Sequence, residues 1–173
     1  MWGGMKNKYP FPVMIMHWLM LVLVVLAYIT GGDPTVHLKS GELHIFAGVS
    51  VFLLFFIRII MISIYKKDLP HNKSMSKYQK TLFLMVKHTL YSLLFLIPVL
   101  GWFTLSGLTE NYQLFGVNLP LISNSWDVEI IGETHEFLGN FFMVLIGLHA
   151  LAALIHHYVF NDNVLKSMKK KKK

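Results

Sequence analysis

The sequence predicts an all-α fold, an integral membrane four-helix bundle in which residues 1–173 form a single domain. Hydrophobic residues make up 54% of the chain and charged residues only 14%, and the mean hydropathy is +0.52. A typical soluble domain carries about 25% charged residues, so lipid is the expected solvent. Four apolar runs are each long enough to cross a bilayer, which takes about 20 residues. These runs cover residues 11–30, 43–65, 82–106 and 134–160.

The distribution of lysine predicts how the bundle is oriented. Lysines are concentrated before the first run, between the second and third runs and after the fourth, whereas the two other loops contain only Lys39. The positive-inside rule then places both termini in the cytoplasm, as an even number of spans requires. The net charge of +7 therefore indicates contact with lipid headgroups rather than with nucleic acid.

The chain contains no cysteine but nine histidines. The missing cysteines exclude disulfides, thiolate-bound iron–sulfur clusters, cysteine-based zinc sites and covalently attached haem. Histidine inside a membrane is costly and usually marks a functional site. The histidines in the apolar runs are His17, His44, His88, His135, His149, His156 and His157.

The spacing of histidines in the fourth run predicts two ligand sites on one helix. Fourteen residues separate His135 from His149, which brings their side chains to within about 40° of the same face and roughly 21 Å apart along the axis. By depth, His44 matches His135 and His17 matches His149. We therefore expect two bis-histidine pairs, each holding a non-covalent haem between facing helices. Hydrogen-bonded buried histidines are the alternative, and zinc is disfavoured because it usually recruits a carboxylate or a tighter cluster.

Other polar side chains lie near the cytoplasmic level. His88 and His156 share that depth, so the residues alone leave either of them able to replace His17 as a ligand or to bind quinone. Arg58 and Lys87 either extend to the headgroup region or neutralise haem propionates, a role for which the arginine fork is suited.

Several local motifs together resemble the bacterial cytochrome b561 family, the di-haem cytochromes of the inner membrane. The resemblance extends over nearly the whole chain. Its motifs are His17–Trp18, His44–Gly48, Lys87–Tyr91, Leu96–Gly101, Glu133–Asn140 and Gly147–Tyr158.

The resemblance implies a multi-pass protein of the bacterial inner membrane with two haem b groups. It implies His44 and His135 as iron ligands on the periplasmic side, and His17 and His149 on the cytoplasmic side. The closest likeness is to members that oxidise superoxide at the periplasmic face and reduce ubiquinone. Lys39 and His37 are the candidate points of approach for superoxide, because they are the cationic side chains of the first outer loop.

Two other functions compete with that one. The chain could be a cytochrome b anchor subunit that carries electrons between a hydrogenase or dehydrogenase partner and quinone. The absence of a long hydrophilic docking segment disfavours this reading. A transporter without haem is the third possibility, but the sequence shows no inverted repeat or pair of broken helices.

Overall fold

The computed structural model describes residues 8–34, 36, 38–70, 76–122, 127–159 and 167. Within these residues, four helices are long and apolar enough to cross a membrane. They are α1 (Phe11–Ile29), α2 (Leu38–Ile64), α3 (Lys77–Leu108) and α4 (Val128–Tyr158). A short 3-10 turn follows α2 at Lys66–Asp68, and two short strands, β1 (Gln113–Leu114) and β2 (Val117–Asn118), lie between α3 and α4.

Three of the helices begin earlier than the apolar runs predict. Helix α2 starts at residue 38 instead of 43, α3 at 77 instead of 82, and α4 at 128 instead of 134. Hydropathy marks only the part of a helix that lies in hydrocarbon, and the polar first turns continue beyond it. As a result His44 lies in the second turn of α2 and not at its start, which corrects the sequence-based placement.

Side-chain caps fix the starts of α3 and α4. The Ser76 hydroxyl accepts a hydrogen bond from the Gln79 backbone N–H at 3.3 Å, and the Gln79 side chain accepts one from the Ser76 N–H at 2.9 Å. This reciprocal arrangement is a capping box. Before α4, the Asp127 carboxylate accepts from the backbone N–H groups of Glu129 and Ile130 at 3.1 and 3.3 Å. Both caps satisfy amides that the first helical turn leaves without a partner.

The four helices pack as two antiparallel hairpins. Helix α1 packs along α2, α3 packs along α4, and the hairpins meet mainly where α2 contacts α3. Close backbone contact between α1 and α4 is sparser. Most apolar side chains point outward, as in Val22 and Phe137, which are 63% and 68% exposed. An apolar exterior of this kind suits a lipid environment.

The first and last described segments lie at the same end of the bundle. The Tyr9 backbone N–H donates to the Ser167 carbonyl oxygen at 3.1 Å. Burial raises the pKa of the Tyr9 hydroxyl, and the positive charge of Arg58 acts in the opposite direction. This common end agrees with an even number of spans. Its assignment to the cytoplasm rests on the lysine distribution alone.

The loop between α3 and α4 contains a small hairpin that the hydrophobic pattern does not predict. Gln113 pairs with Asn118 and Leu114 with Val117 in antiparallel register. The two turn residues, Phe115 and Gly116, have φ angles of 49° and 82°. Positive φ at both positions is the signature of a type I′ turn, which matches the twist of paired strands. The Phe115 ring packs edge-on against Phe46 of α2, with centroids 5.7 Å apart.

Candidate functional site

The outer histidine pair joins α2 to α4. The ring centroids of His44 and His135 are 5.9 Å apart, and the ring planes are inclined by 82°. His44 Nδ1 lies 2.7 Å from the Ala27 carbonyl oxygen, and His135 Nδ1 lies 2.9 Å from that of Ile97. A carbonyl oxygen can only accept, so each Nδ1 carries the proton and each Nε2 has a free lone pair. Metal-ligating histidines commonly have this arrangement, with the second nitrogen fixed by a carbonyl.

The inner histidine pair joins α1 to α4. The ring centroids of His17 and His149 are 6.4 Å apart, and the planes are inclined by 72°. Trp18 packs edge-on beside His17 at 5.7 Å. Of the candidate histidines for the inner site, His17 is the one whose ring faces His149. The exposed His88 instead places its Nδ1 2.7 Å from the Leu84 carbonyl oxygen of its own helix.

The spacing within each pair fits two imidazoles bound to one metal atom. A metal–nitrogen bond of about 2.0–2.1 Å on each side, together with the ring radii, separates the two centroids by about 6 Å. Both observed separations, 5.9 and 6.4 Å, lie close to that value. In the part of the chain that the structure describes, no group of three or more His, Cys, Asp or Glu could hold a metal ion. The candidate metal sites among the described residues are therefore the two histidine pairs.

Small residues shape the surroundings of the outer pair. A cleft beside His44 and His135 is also lined by Gly48 and Gly101. A Cβ atom added at Gly48 would meet nothing within 4 Å, whereas one at Gly101 would lie 2.9 Å from His135 Cε1. Gly101 therefore allows the imidazole to approach α3, and Gly48 leaves open space one turn after His44. The open space beside Gly48 would accommodate a flat macrocycle.

The outer loop extends over this cleft. Trp102 Nε1 of α3 donates to the Pro120 carbonyl oxygen at 3.0 Å. Leu119 and Leu121, on either side of that proline, line the cleft together with the histidines. The loop thus covers the outer pair with apolar side chains and restricts its contact with water.

A partly buried cation, Arg58, lies on α2 at the level of the inner pair, because it follows His44 by the same 14 residues that separate His135 from His149 on α4. Arg58 Nε donates to the Tyr91 hydroxyl oxygen at 2.9 Å, and the guanidinium carbon is 5.8 Å from the Tyr91 ring centroid. Its Nη1 is buried and has no hydrogen-bond partner among the described residues. A buried unpaired cationic donor is costly, so this site suits an anionic group such as a carboxylate-bearing haem.

The remaining candidate residues are more scattered. Lys87 and His88 line a separate cleft between α2 and α3. Lys39 is exposed in the first turn of α2, on the same end of that helix as His44. His37 lies outside the described residues. His156 lies in the last turn of α4.

Sequence reasoning missed several contacts of the site. It assigned no role to Tyr91, and it did not place Gly101 against His135 or Tyr28 against Asn140, whose side chains are joined by a 3.0 Å hydrogen bond between α1 and α4. All these contacts join different helices. The available signal was that Tyr91 and Gly101 belong to the motifs that carry the family resemblance.

The fold and the paired histidines define a multi-pass membrane protein with the features of a b-type cytochrome. A family model for prokaryotic cytochrome b561 matches residues 8–171. The chain belongs to this family of bacterial membrane electron-transfer proteins, whose cofactor is haem b. The resemblance inferred from the motifs is therefore confirmed.

Two curated relatives match almost from end to end. The probable superoxide oxidase CybB of Yersinia pestis is 30% identical over 176 residues, which cover 98% of this chain and 99% of the relative. Cytochrome b561 homolog 1 of Escherichia coli strain K12 is 28% identical over 177 residues, which cover 96% of this chain and 99% of the relative.

Proposed function

We propose that this protein oxidises superoxide at the periplasmic face of the inner membrane and passes the electrons through two haem b groups to ubiquinone. The observation that carries the proposal is the presence of two facing histidine pairs at two levels of one bundle, His44 with His135 and His17 with His149. Both termini then face the cytoplasm. The electron balance requires two superoxide anions for each quinone: two molecules of oxygen are released, and quinone takes up two electrons and two protons to become quinol.

The residues of the chain position the haems and tune them. The carbonyls of Ala27 and Ile97 hold the outer imidazoles with Nε2 unprotonated. Arg58 supplies a buried cationic donor for a propionate near the inner pair. Bound haem supplies the one-electron chemistry. Two histidines would hold each haem, and haem held in this way would supply electron transfer rather than oxygen binding.

The superoxide half of the proposal has two supports. One relative bears the name probable superoxide oxidase. Lys39 is an exposed cation at the same end of α2 as His44 and would attract an anion such as superoxide. His37 is the second proposed point of approach.

The test is superoxide-driven quinone reduction by the detergent-purified protein. Superoxide is generated enzymatically, and haem reduction and quinol formation are recorded together, with and without superoxide dismutase. We expect one quinol for two superoxide anions consumed, and loss of the signal when dismutase is present. Haems that are reduced by dithionite but not by superoxide would refute the superoxide half. A hydrogenase or dehydrogenase that co-purifies and reduces them would establish the anchor-subunit alternative.

A further inference from the structure

A second cleft lies between α2 and α3, outside both histidine pairs. Its volume is about 460 Å³, within the usual range of small-molecule sites, about 300–1,000 Å³. Phe55 and Phe95 form an aromatic wall, with ring centroids 5.6 Å apart. Lys87, His88 and Ser92 line the cleft with polar groups. These three residues are exposed on the helix surface, so the cleft is open towards the surrounding lipid.

We propose that this cleft binds the head ring of an isoprenoid quinone, with Tyr91 as a hydrogen-bond donor to one quinone carbonyl. The proposal rests on the proposed function and adds the place where the electrons leave the protein. A quinone head is flat, apolar on both faces and carries two carbonyl acceptors. The aromatic wall matches the ring faces. The polar edge supplies donors, and the opening towards lipid allows the ligand to enter from the bilayer.

Tyr91 connects this cleft to the inner histidine pair. Its hydroxyl oxygen accepts from Arg58 Nε at 2.9 Å, which leaves its own O–H hydrogen to donate into the cleft. Arg58 follows His44 by 14 residues on α2, the spacing that also separates His135 from His149 on α4, so Arg58 lies at the level of the inner pair. A ligand bound to Tyr91 would thus lie at the level of the inner pair, hydrogen-bonded through Tyr91 to Arg58.

The polar edge also provides groups that can carry protons. Quinone takes up two protons with its two electrons, and the donors must be reloaded from water. His88 Nδ1 donates to the Leu84 carbonyl oxygen, so Nε2 is the ring nitrogen available to a ligand in the cleft. The neighbouring Lys87 ammonium is a second donor. Both side chains are exposed and lie about three turns into α3 from the end that follows the lysine-rich connection.

The experiment measures reoxidation of the haems by decylubiquinone in a stopped-flow instrument. The haem-loaded protein is first reduced with dithionite, and excess reductant is removed, so the result does not depend on superoxide. Three variants are compared with the wild type. Ser92→Phe fills the cleft, and Tyr91→Phe removes only the hydroxyl. Tyr78→Phe makes the same change on the same helix at a side chain that is 90% exposed and away from the cleft.

We expect Ser92→Phe to slow reoxidation strongly. We expect Tyr91→Phe to raise the half-saturating quinone concentration about five-fold, because one hydrogen bond to the quinone is lost. Tyr78→Phe should behave as the wild type. If Ser92→Phe fails to load haem, the conservative Tyr91→Phe variant alone tests whether quinone binds in this cleft. Wild-type kinetics in every haem-loaded cleft variant would overturn the inference and leave the proposed function standing, since quinone would then bind elsewhere, for example near His156. A wild-type protein that quinone does not reoxidise would overturn both.

Discussion

The replacement Gly101→Ala is expected to disturb the outer haem and leave the inner one intact. The new Cβ would lie 2.9 Å from His135 Cε1. Two carbon atoms rest at about 3.5–4.0 Å, so the imidazole must move by roughly 0.6 Å or more. Metal–ligand distances tolerate only about 0.2 Å. The displacement would also strain the 2.9 Å contact between His135 Nδ1 and the Ile97 carbonyl, which fixes the ring.

The assay for Gly101→Ala is haem content per chain by pyridine haemochrome, together with a redox titration of the visible bands. We expect the haem content to fall from two towards one, or the potential of one haem to shift while the other is unchanged. Gly132→Ala is the matched control, because a Cβ there meets Thr104 Cγ2 at an ordinary 3.5 Å. Two haems with unchanged spectra and potentials in Gly101→Ala would refute the placement of a haem at this pair.

Three further predictions concern single side chains. His17→Ala should remove the inner haem alone and leave about half of the haem content, since His44 and His135 are untouched; loss of neither or both would contradict separate sites. Lys39→Glu should slow reduction by superoxide but not by dithionite, and the difference should shrink as salt screens the charge; an equal rate at low salt would exclude Lys39 as a point of approach. Ser76→Ala removes the capping box of α3 and should destabilise the protein by about 1 kcal/mol. A lower thermal midpoint at full haem content would show this, whereas an unchanged midpoint would contradict it.

The sequence predicted the number of helices and their order because each apolar run is long and clearly bounded by polar loops. The positions of the helix starts were less accurate. At α3 and α4, the hydrogen bonds of Ser76 and Asp127 determine where the helix begins, and hydropathy does not report such bonds.

The two histidine pairs expected from depth are the two that face one another in the structure. Depth along a membrane helix can be counted from the sequence at about 1.5 Å per residue, so the level of each histidine could be predicted. Their role as haem ligands stays a prediction. The link between Arg58 and Tyr91 could not be foreseen, because it depends on how α2 and α3 are rotated about their axes. A helix that is apolar on all sides gives no preferred face from which that rotation could be inferred.

The most direct test of the central claim is the haem content of the detergent-purified protein. A dithionite-reduced minus oxidised visible spectrum is recorded, and the haem is quantified as pyridine haemochrome. We expect the bands of b-type haem and two haems per chain, bound at His44 with His135 and at His17 with His149. A colourless protein after haem-replete expression would contradict it and would leave these histidines with a structural or transport role.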